Sequence, residues 1–179
     1  MNIKLLDSWL REYLKTKATA YDIAEKLSLT SVSVDRVDPF GKNDFIYEIE
    51  VTTNRPDLMS VIGLAREAAA VLPQFDIAAK FSELKLNSSL PDAPKLGIDI
   101  EIDETLVKRV CAVALVVTVR QSPELIKKRL LASGINPHNN LIDVTNYVMR
   151  EIGHPMHAFD YDKLLTYGKF IIREAKKGE

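Results

Sequence analysis

The sequence predicts an α+β protein in two parts: a small helix-rich N-terminal module, then part of a mixed α/β domain. Three observations carry this prediction. Apolar residues recur at helical spacing in several separate stretches, alternating runs of Val and Ile stand between those stretches, and both patterns fade between Pro73 and Lys95. The expected division is a module at 1–81, a linker at 82–95 and a second domain at 96–179.

The elements follow in order. Ile3-Lys4-Leu5 reads as a short strand, and Leu6, Trp9, Leu10, Tyr13 and Leu14 as one face of a helix with Asp7 or Ser8 placed to cap it. Thr19 opens a second helix on which Ile23, Ala24 and Leu27 share a face, and Thr19 with Asp22 has the form of a weak capping box. Val32 and Val34, then Ile46, Ile49 and Val51, read as paired strands joined by the turn-rich DPFGKND. Arg55 precedes a proline and is pushed out of the helical region, so Asp57 is expected to cap the next helix, with Leu58, Ile62, Ala65, Ala69 and Leu72 on its apolar face. Gly63 inside that helix costs about 1 kcal/mol against alanine, which points to close packing there.

Asn87, Ser88, Ser89, Pro91, Asp92 and Pro94 form a loop-like stretch. Beyond it, Ile98, Ile100 and Ile102 alternate with acidic residues as in a half-exposed strand. The nearly continuous apolar run Arg109 to Val119 suits a central strand, with Cys111 a buried, inert thiol. Ser122 and Pro123 start a helix that Gly134 closes after Ser133. Asp143 to Ile152 reads as a further helix ended by Gly153 and Pro155, and Phe170 to Arg173 as a short strand. The expected order of this part is strand, strand, helix, helix, strand. The ending AKKGE, directly after a strand, is expected to leave the second domain incomplete.

Hydrophobic residues at 46% and charged residues at 27% are near the globular average, which excludes disordered and collagen-like classes. Lys and Arg total 24 against 25 Asp and Glu, so no overall field draws nucleic acid, and any RNA contact must come from a local patch. With a single cysteine, an intrachain disulfide is ruled out. No uncharged run approaches the roughly 18 residues of a membrane span, and the reading is a cytoplasmic protein with no membrane contact.

The chemistry-bearing stretch is DVTNYVMREIGHPMHAFDYDKL, Asp143 to Leu164. His154 and His157 could share a divalent ion only with Asp160 or Asp162 completing the shell, and Pro155 breaks the helix between them, so no metal is expected. A polar pocket is the second reading: Thr145 and Asn146 at the start of a helix, with His157 on the following turn. The plainer alternative, which the residues alone favour, has Thr145 and Asn146 helping to cap the helix and His157 satisfying a backbone carbonyl. Lys127, Lys128 and Arg129 are consecutive on a helix and read as a solvated face. The glycines are scattered singly, so no phosphate-cradling loop is present, and no Gly-x-Ser-x-Gly elbow occurs.

TTNRPDLMSVIGLAREAAAV and SPELIKKRLLASGINPHNNLIDVTNYVMREIGHPMHAFDYDKL, with the opening NIKLLDSWLREYL, resemble in content and order the bacterial phenylalanyl-tRNA synthetase beta chain. The resemblance implies an N-terminal helical module up to about Phe81 and, from Leu96, the first half of a domain that hydrolyses mischarged Tyr-tRNA. It implies a phenylalanine–tRNA ligase in which the beta chain pairs with an alpha chain as (αβ)2, binds tRNA and works with ATP and Mg2+. The aminoacylation site lies on the alpha chain, and no cofactor belongs to this piece. By the same resemblance Thr145, Asn146 and His157 line the hydrolytic pocket, and His154 does not. Two departures stand out. Val37 and Phe45 are separated only by DPFGKND, where bacterial relatives insert an OB-fold tRNA-binding module; and the remaining half of the editing domain, with its acidic pocket residue, is expected beyond Glu179. The rival readings are a non-catalytic RNA- or protein-binding scaffold that keeps the fold without the pocket, and a free-standing hydrolase.

Overall fold

The computed structural model describes residues 1–85, 92 and 94–179 and is α+β. Its elements are β1 (Asn2–Leu6), α1 (Asp7–Tyr13), β2 (Leu14–Thr16), α2 (Ala20–Thr30), β3 (Ser33–Phe40), β4 (Asp44–Glu50), α3 (Val61–Val71), β5 (Ala79–Phe81), β6 (Asp99–Ile102), α4 (Glu124–Ala132), α5 (Asn140–Ile152), α6 (Tyr161–Tyr167) and β7 (Lys169–Ile172), with 3-10 turns at Pro56–Met59 and Leu72–Phe75. Two compact units form: residues 1–86 with 119–157, and residues 87–118 with 158–179. Most of the loop-like stretch within the expected 82–95 linker, at 86–91 and 93, lies outside the described residues. Among the described residues no helix is long and apolar enough to cross a membrane.

In the first unit, β1, β4 and β3 form an antiparallel sheet in that spatial order. Alternation places Ile3 and Leu5 of β1 opposite Ile49 and Tyr47 of β4, and all four are buried on the helix-covered face. The hairpin expected across DPFGKND is present, with β3 running to Phe40 before a turn at Gly41. The apolar face of α2 is the expected one, Ile23, Ala24 and Leu27. That of α3 is rotated slightly from the expected one, to Val61, Leu64, Ala65, Ala68 and Val71. Burying each large side chain of this cluster contributes about 1.5–3 kcal/mol, which is what holds short strands and an α1 of 7 residues in place.

The helix caps show where local pattern suffices. Thr19 and Asp22 form the full capping box at the head of α2, the Thr19 hydroxyl accepting from Asp22 N–H at 3.1 Å and the Asp22 carboxylate from Thr19 N–H at 2.8 Å. At α1 the expectation fails. Neither Asp7 nor Ser8 caps it; instead Asp44, from the start of β4, accepts from Ser8 N–H at 3.0 Å and from its hydroxyl at 2.7 Å. Asp7 is buried and used sideways, taking bonds from Arg11 and Tyr47.

At α3 the cap is Ser60 and not Asp57, because a 3-10 turn intervenes and moves the helix start; Asp57 pairs with Arg55 at 2.9 Å. The Ser60 hydroxyl accepts from Gly63 N–H at 3.0 Å and is buried. Ser60→Ala removes that acceptor and is expected to cost about 1–2 kcal/mol, read from the midpoint of urea unfolding; an unchanged midpoint would show the cap to be dispensable.

In the second unit, β6 and β7 pair in parallel, Asp99 opposite Lys169 through Ile102 opposite Ile172, as half-exposed strands. The expected order of elements is corrected twice. A helix stands directly before β7: α6 is capped by the Asp160 carboxylate on Lys163 N–H at 3.2 Å and ends at Gly168 in the left-handed region. The central strand expected over Arg109 to Val119 does not form, and Val113 at 71%, Leu115 at 74% and Val116 at 107% exposure show an uncovered run. A strand is held by backbone bonds to neighbours, and among the described residues β6 pairs with β7 while this run pairs with neither. Cys111 is exposed for the same reason, not buried as expected.

Candidate functional site

Helix α5 carries the stretch singled out in the sequence. It starts earlier than expected because Asn139 caps it, its side-chain oxygen accepting from Leu141 N–H and Ile142 N–H, each at 3.1 Å. It ends at Gly153, whose φ of +79° puts it in the left-handed region and whose N–H reaches Met149 O at 2.9 Å. Thr145 and Asn146 therefore lie in the second turn, not at the start, and no free helix amides surround them.

One stripe of α5 is engaged by the segments that flank α4 and by the N-terminal elements, and it is polar. Asp143 is fully buried, accepting from the Ser122 hydroxyl and from His138 N–H at 2.8 Å. Tyr147 stacks on Trp9 with ring centroids 4.5 Å apart. The Arg150 guanidinium donates to Met59 O at 3.4 Å, and Glu151 accepts from Trp9 Nε1 at 3.2 Å and the Tyr13 hydroxyl at 2.7 Å. At about 100° per residue these four positions span roughly 100° of arc, with Thr145 roughly opposite its middle and Asn146 on its flank. The side carrying Thr145 is only partly covered, Thr145 being half-buried and Ile142 39% and Ile152 42% exposed beside it.

The three candidate side chains are placed as follows. The Thr145 hydroxyl donates to Ile142 O at 2.8 Å, which leaves its lone pairs to accept from something else. Asn146 is half-buried and carries no side-chain hydrogen bond among the described residues. His157 lies beyond Gly153 in the segment without regular structure that follows α5, and it is exposed. The structure thus brings Thr145 and Asn146 together on one helix and places His157 on the chain that leaves it. Among the described residues no group of three or more His, Cys, Asp or Glu side chains is placed to hold a metal ion.

Sequence reasoning missed Arg129. Lys127 and Lys128 keep partly exposed side chains, but Arg129 is buried, not part of a solvated face. Its guanidinium bonds Glu12 and the Tyr147 hydroxyl and lies 5.0 Å from the centroid of the Trp9 ring. Burial alone would lower the Arg129 pKa, but Glu12 and Tyr147 outweigh it and hold the guanidinium charged. Burial, reinforced by Glu151, pushes the Tyr13 and Tyr147 hydroxyls up, so both stay protonated, Tyr13 donating to Glu151 and Tyr147 accepting from Arg129. A signal for this existed in the sequence: Ile126, Arg129, Leu130 and Ser133 fall on one helical stripe.

Comparison with known proteins now decides the relationship. The B3/4 domain family matches residues 106–179. The phenylalanine–tRNA ligase beta subunit of Clostridium acetobutylicum is 37% identical over 153 residues, 84% of this chain and 19% of that protein. That of Fusobacterium nucleatum is 41% identical over 138 residues, 76% of this chain and 17% of the relative. The chain is a relative of the phenylalanine–tRNA ligase beta subunits. A third such subunit, from Thermotoga maritima, is 37% identical over 154 residues, 83% of this chain and 18% of its own length. The chain therefore spans about a fifth of the length of these ligase subunits. The B3/4 match begins within the extended run before α4 and contains α4, α5, α6 and β7, hence all three candidate residues.

Proposed function

We propose that the chain supplies part of the beta subunit of a cytoplasmic phenylalanine–tRNA ligase, and within it half of a pocket that hydrolyses mischarged Tyr-tRNA. The observation that supports it best is the likeness to ligase beta subunits across most of the chain, including the segment that carries Thr145, Asn146 and His157. Partners in this reading are an alpha chain, in an (αβ)2 assembly, and tRNA. ATP and Mg2+ belong to the aminoacylation step of the complete synthetase.

The need for hydrolysis is physical. A pocket shaped for phenylalanine rejects an analogue with one added hydroxyl by as little as about a hundredfold, so a second site must remove the error. In that site water adds to the carbonyl carbon of the ester, the bond to the terminal ribose oxygen breaks, the ribose oxygen takes up one of the water's protons, the other passes to solvent, and tyrosine leaves as its carboxylate. Asn146 offers both donor and acceptor to the tyrosine hydroxyl or the ester, which suits its unpaired amide. Thr145 accepts from the substrate through its remaining lone pairs. His157 offers one ring nitrogen as donor and the other as acceptor, and it holds the attacking water or the ribose hydroxyl.

The test is His157→Ala in the complete synthetase. Hydrolysis of Tyr-tRNA is expected to fall about 10- to 100-fold, the scale of a lost positioning group, while formation of Phe-tRNA is unchanged. Undiminished hydrolysis removes the assignment and favours a scaffold role for this region.

A further inference from the structure

The chain carries a net charge of −1, so an RNA contact needs a local cationic surface, and one is present away from α5. It is an open groove of about 1080 Å³ in the first compact unit, beside the two-stranded ribbon of β2 and β5. Its charged lining is Arg11, Lys15, Lys17 and Lys80 against Asp22 and Asp76. Both Lys15 and Lys80 are exposed and stand directly opposite each other in the antiparallel register, so their side chains share one face of the ribbon. Like charges so placed repel, and a bound anion relieves that repulsion.

Of the other charged groups nearby, Arg11 and Asp22 are committed elsewhere, while Asp76 enters no ion pair among the described residues and leaves the lysines in excess. Arg11 is held by Asp7 at 2.7 Å and by Ala18 O at 2.9 Å, and Asp22 by its capping box at the head of α2. Lys4, Lys26, Lys127 and Lys128 each pair with a carboxylate, whereas Lys15, Lys17 and Lys80, like Lys42 elsewhere, enter no ion pair among the described residues, the Lys15 ammonium donating to Arg11 O at 3.2 Å. Lysines on a ribbon with free edges also deter unwanted strand pairing, but Lys17 lies past the end of β2 and serves no edge.

We infer that this groove binds the phosphate backbone of RNA, and, resting on the ligase reading above, that the RNA is tRNA. Contact is through charge, without base reading. Lys15 and Lys80 grip from the ribbon and Lys17 from the loop that follows it.

The experiment measures binding of an end-labelled tRNA transcript to the full 179-residue chain by fluorescence anisotropy, from about 50 to 200 mM salt. The double variant Lys15→Gln/Lys80→Gln is expected to bind about tenfold more weakly, with the slope of log affinity against log salt reduced by about 2, one for each lost phosphate contact. Lys42→Gln, in the β3–β4 turn, should bind as the unchanged chain does. Equal affinity and slope in the double variant overturn the inference, as does the absence of salt-dependent binding by the unchanged chain. Tighter binding of a poly-glutamate peptide than of the transcript assigns the groove to an acidic polypeptide and overturns RNA as its occupant. Because the readout is binding, it is separable from the hydrolysis test: a normal His157→Ala variant beside a weakened lysine variant removes the pocket alone, and the reverse removes the groove alone.

Discussion

Gly63→Ala is expected to destabilise the chain by about 3 kcal/mol or more, at the upper end of overpacking costs. An alanine Cβ at that position would lie 1.8 Å from Asp57 O and 2.9 Å from the Ser60 hydroxyl. The nearer atom is backbone, so no side-chain rotation relieves the clash. The 3-10 turn at Pro56–Met59 must move, taking with it the fully buried Leu58 and the Ser60 cap of α3. Against this, alanine gains only about 1 kcal/mol in helix propensity, so the clash wins. Urea unfolding followed by far-UV circular dichroism measures it, and a variant as stable as the unchanged chain would refute the packing account. The effect should also reach α5. Arg150 bonds to Met59 O, and a Cβ at Gly153 would come within 3.3 Å of the Ser60 side chain, so a shifted turn displaces the helix bearing Thr145 and Asn146.

Arg129→Ala is expected to cost about 2–4 kcal/mol. Breaking a buried ion pair typically costs about 3–5 kcal/mol, but here the Glu12 side chain is 48% exposed and returns to water once its partner is gone, which moves the expected cost about 1 kcal/mol below that range. What is lost outright is the bond to Tyr147 and the packing over Trp9. Trp9 is the single tryptophan of the chain, fully buried and stacked on Tyr147, so its emission reports the docking of α5 directly. A red-shifted Trp9 spectrum together with lowered stability is the expected pair of results. Arg129→Met separates packing from charge, since an apolar side chain of similar length keeps the stacking and leaves Tyr147 without its donor. A change below about 0.5 kcal/mol in Arg129→Ala, the range of ordinary surface substitutions, would show that the cluster does not hold α5.

Arg129 acts where distant parts of the chain meet, and Gly63 reaches α5 through the neighbouring turn at Met59 and Ser60. The polar stripe Asp143, Tyr147, Arg150 and Glu151 settles which side of α5 stays open, and therefore that Thr145 faces away from the N-terminal elements. The open face is compatible with a pocket completed by other groups, and the His157→Ala measurement decides whether hydrolysis takes place there.

By itself the amino-acid sequence determined what depends on neighbours a few residues away. The period of the apolar residues was enough for α1, α2 and α3, the start and stop signals Ser122-Pro123 and Gly134 for α4, alternation and a turn for the β3–β4 hairpin, and Thr19 with Asp22 for a complete capping box. The order of motifs also pointed to the ligase beta subunits, to which the chain proves related. The tertiary structure alone decided what depends on a partner far along the chain. Asp44 caps α1 from 36 residues away, and Arg129 is buried by Glu12, 117 residues distant. The apolar run Arg109 to Val119 stays uncovered because a strand, unlike a helix, cannot satisfy its backbone within itself, and its own composition does not supply a neighbour.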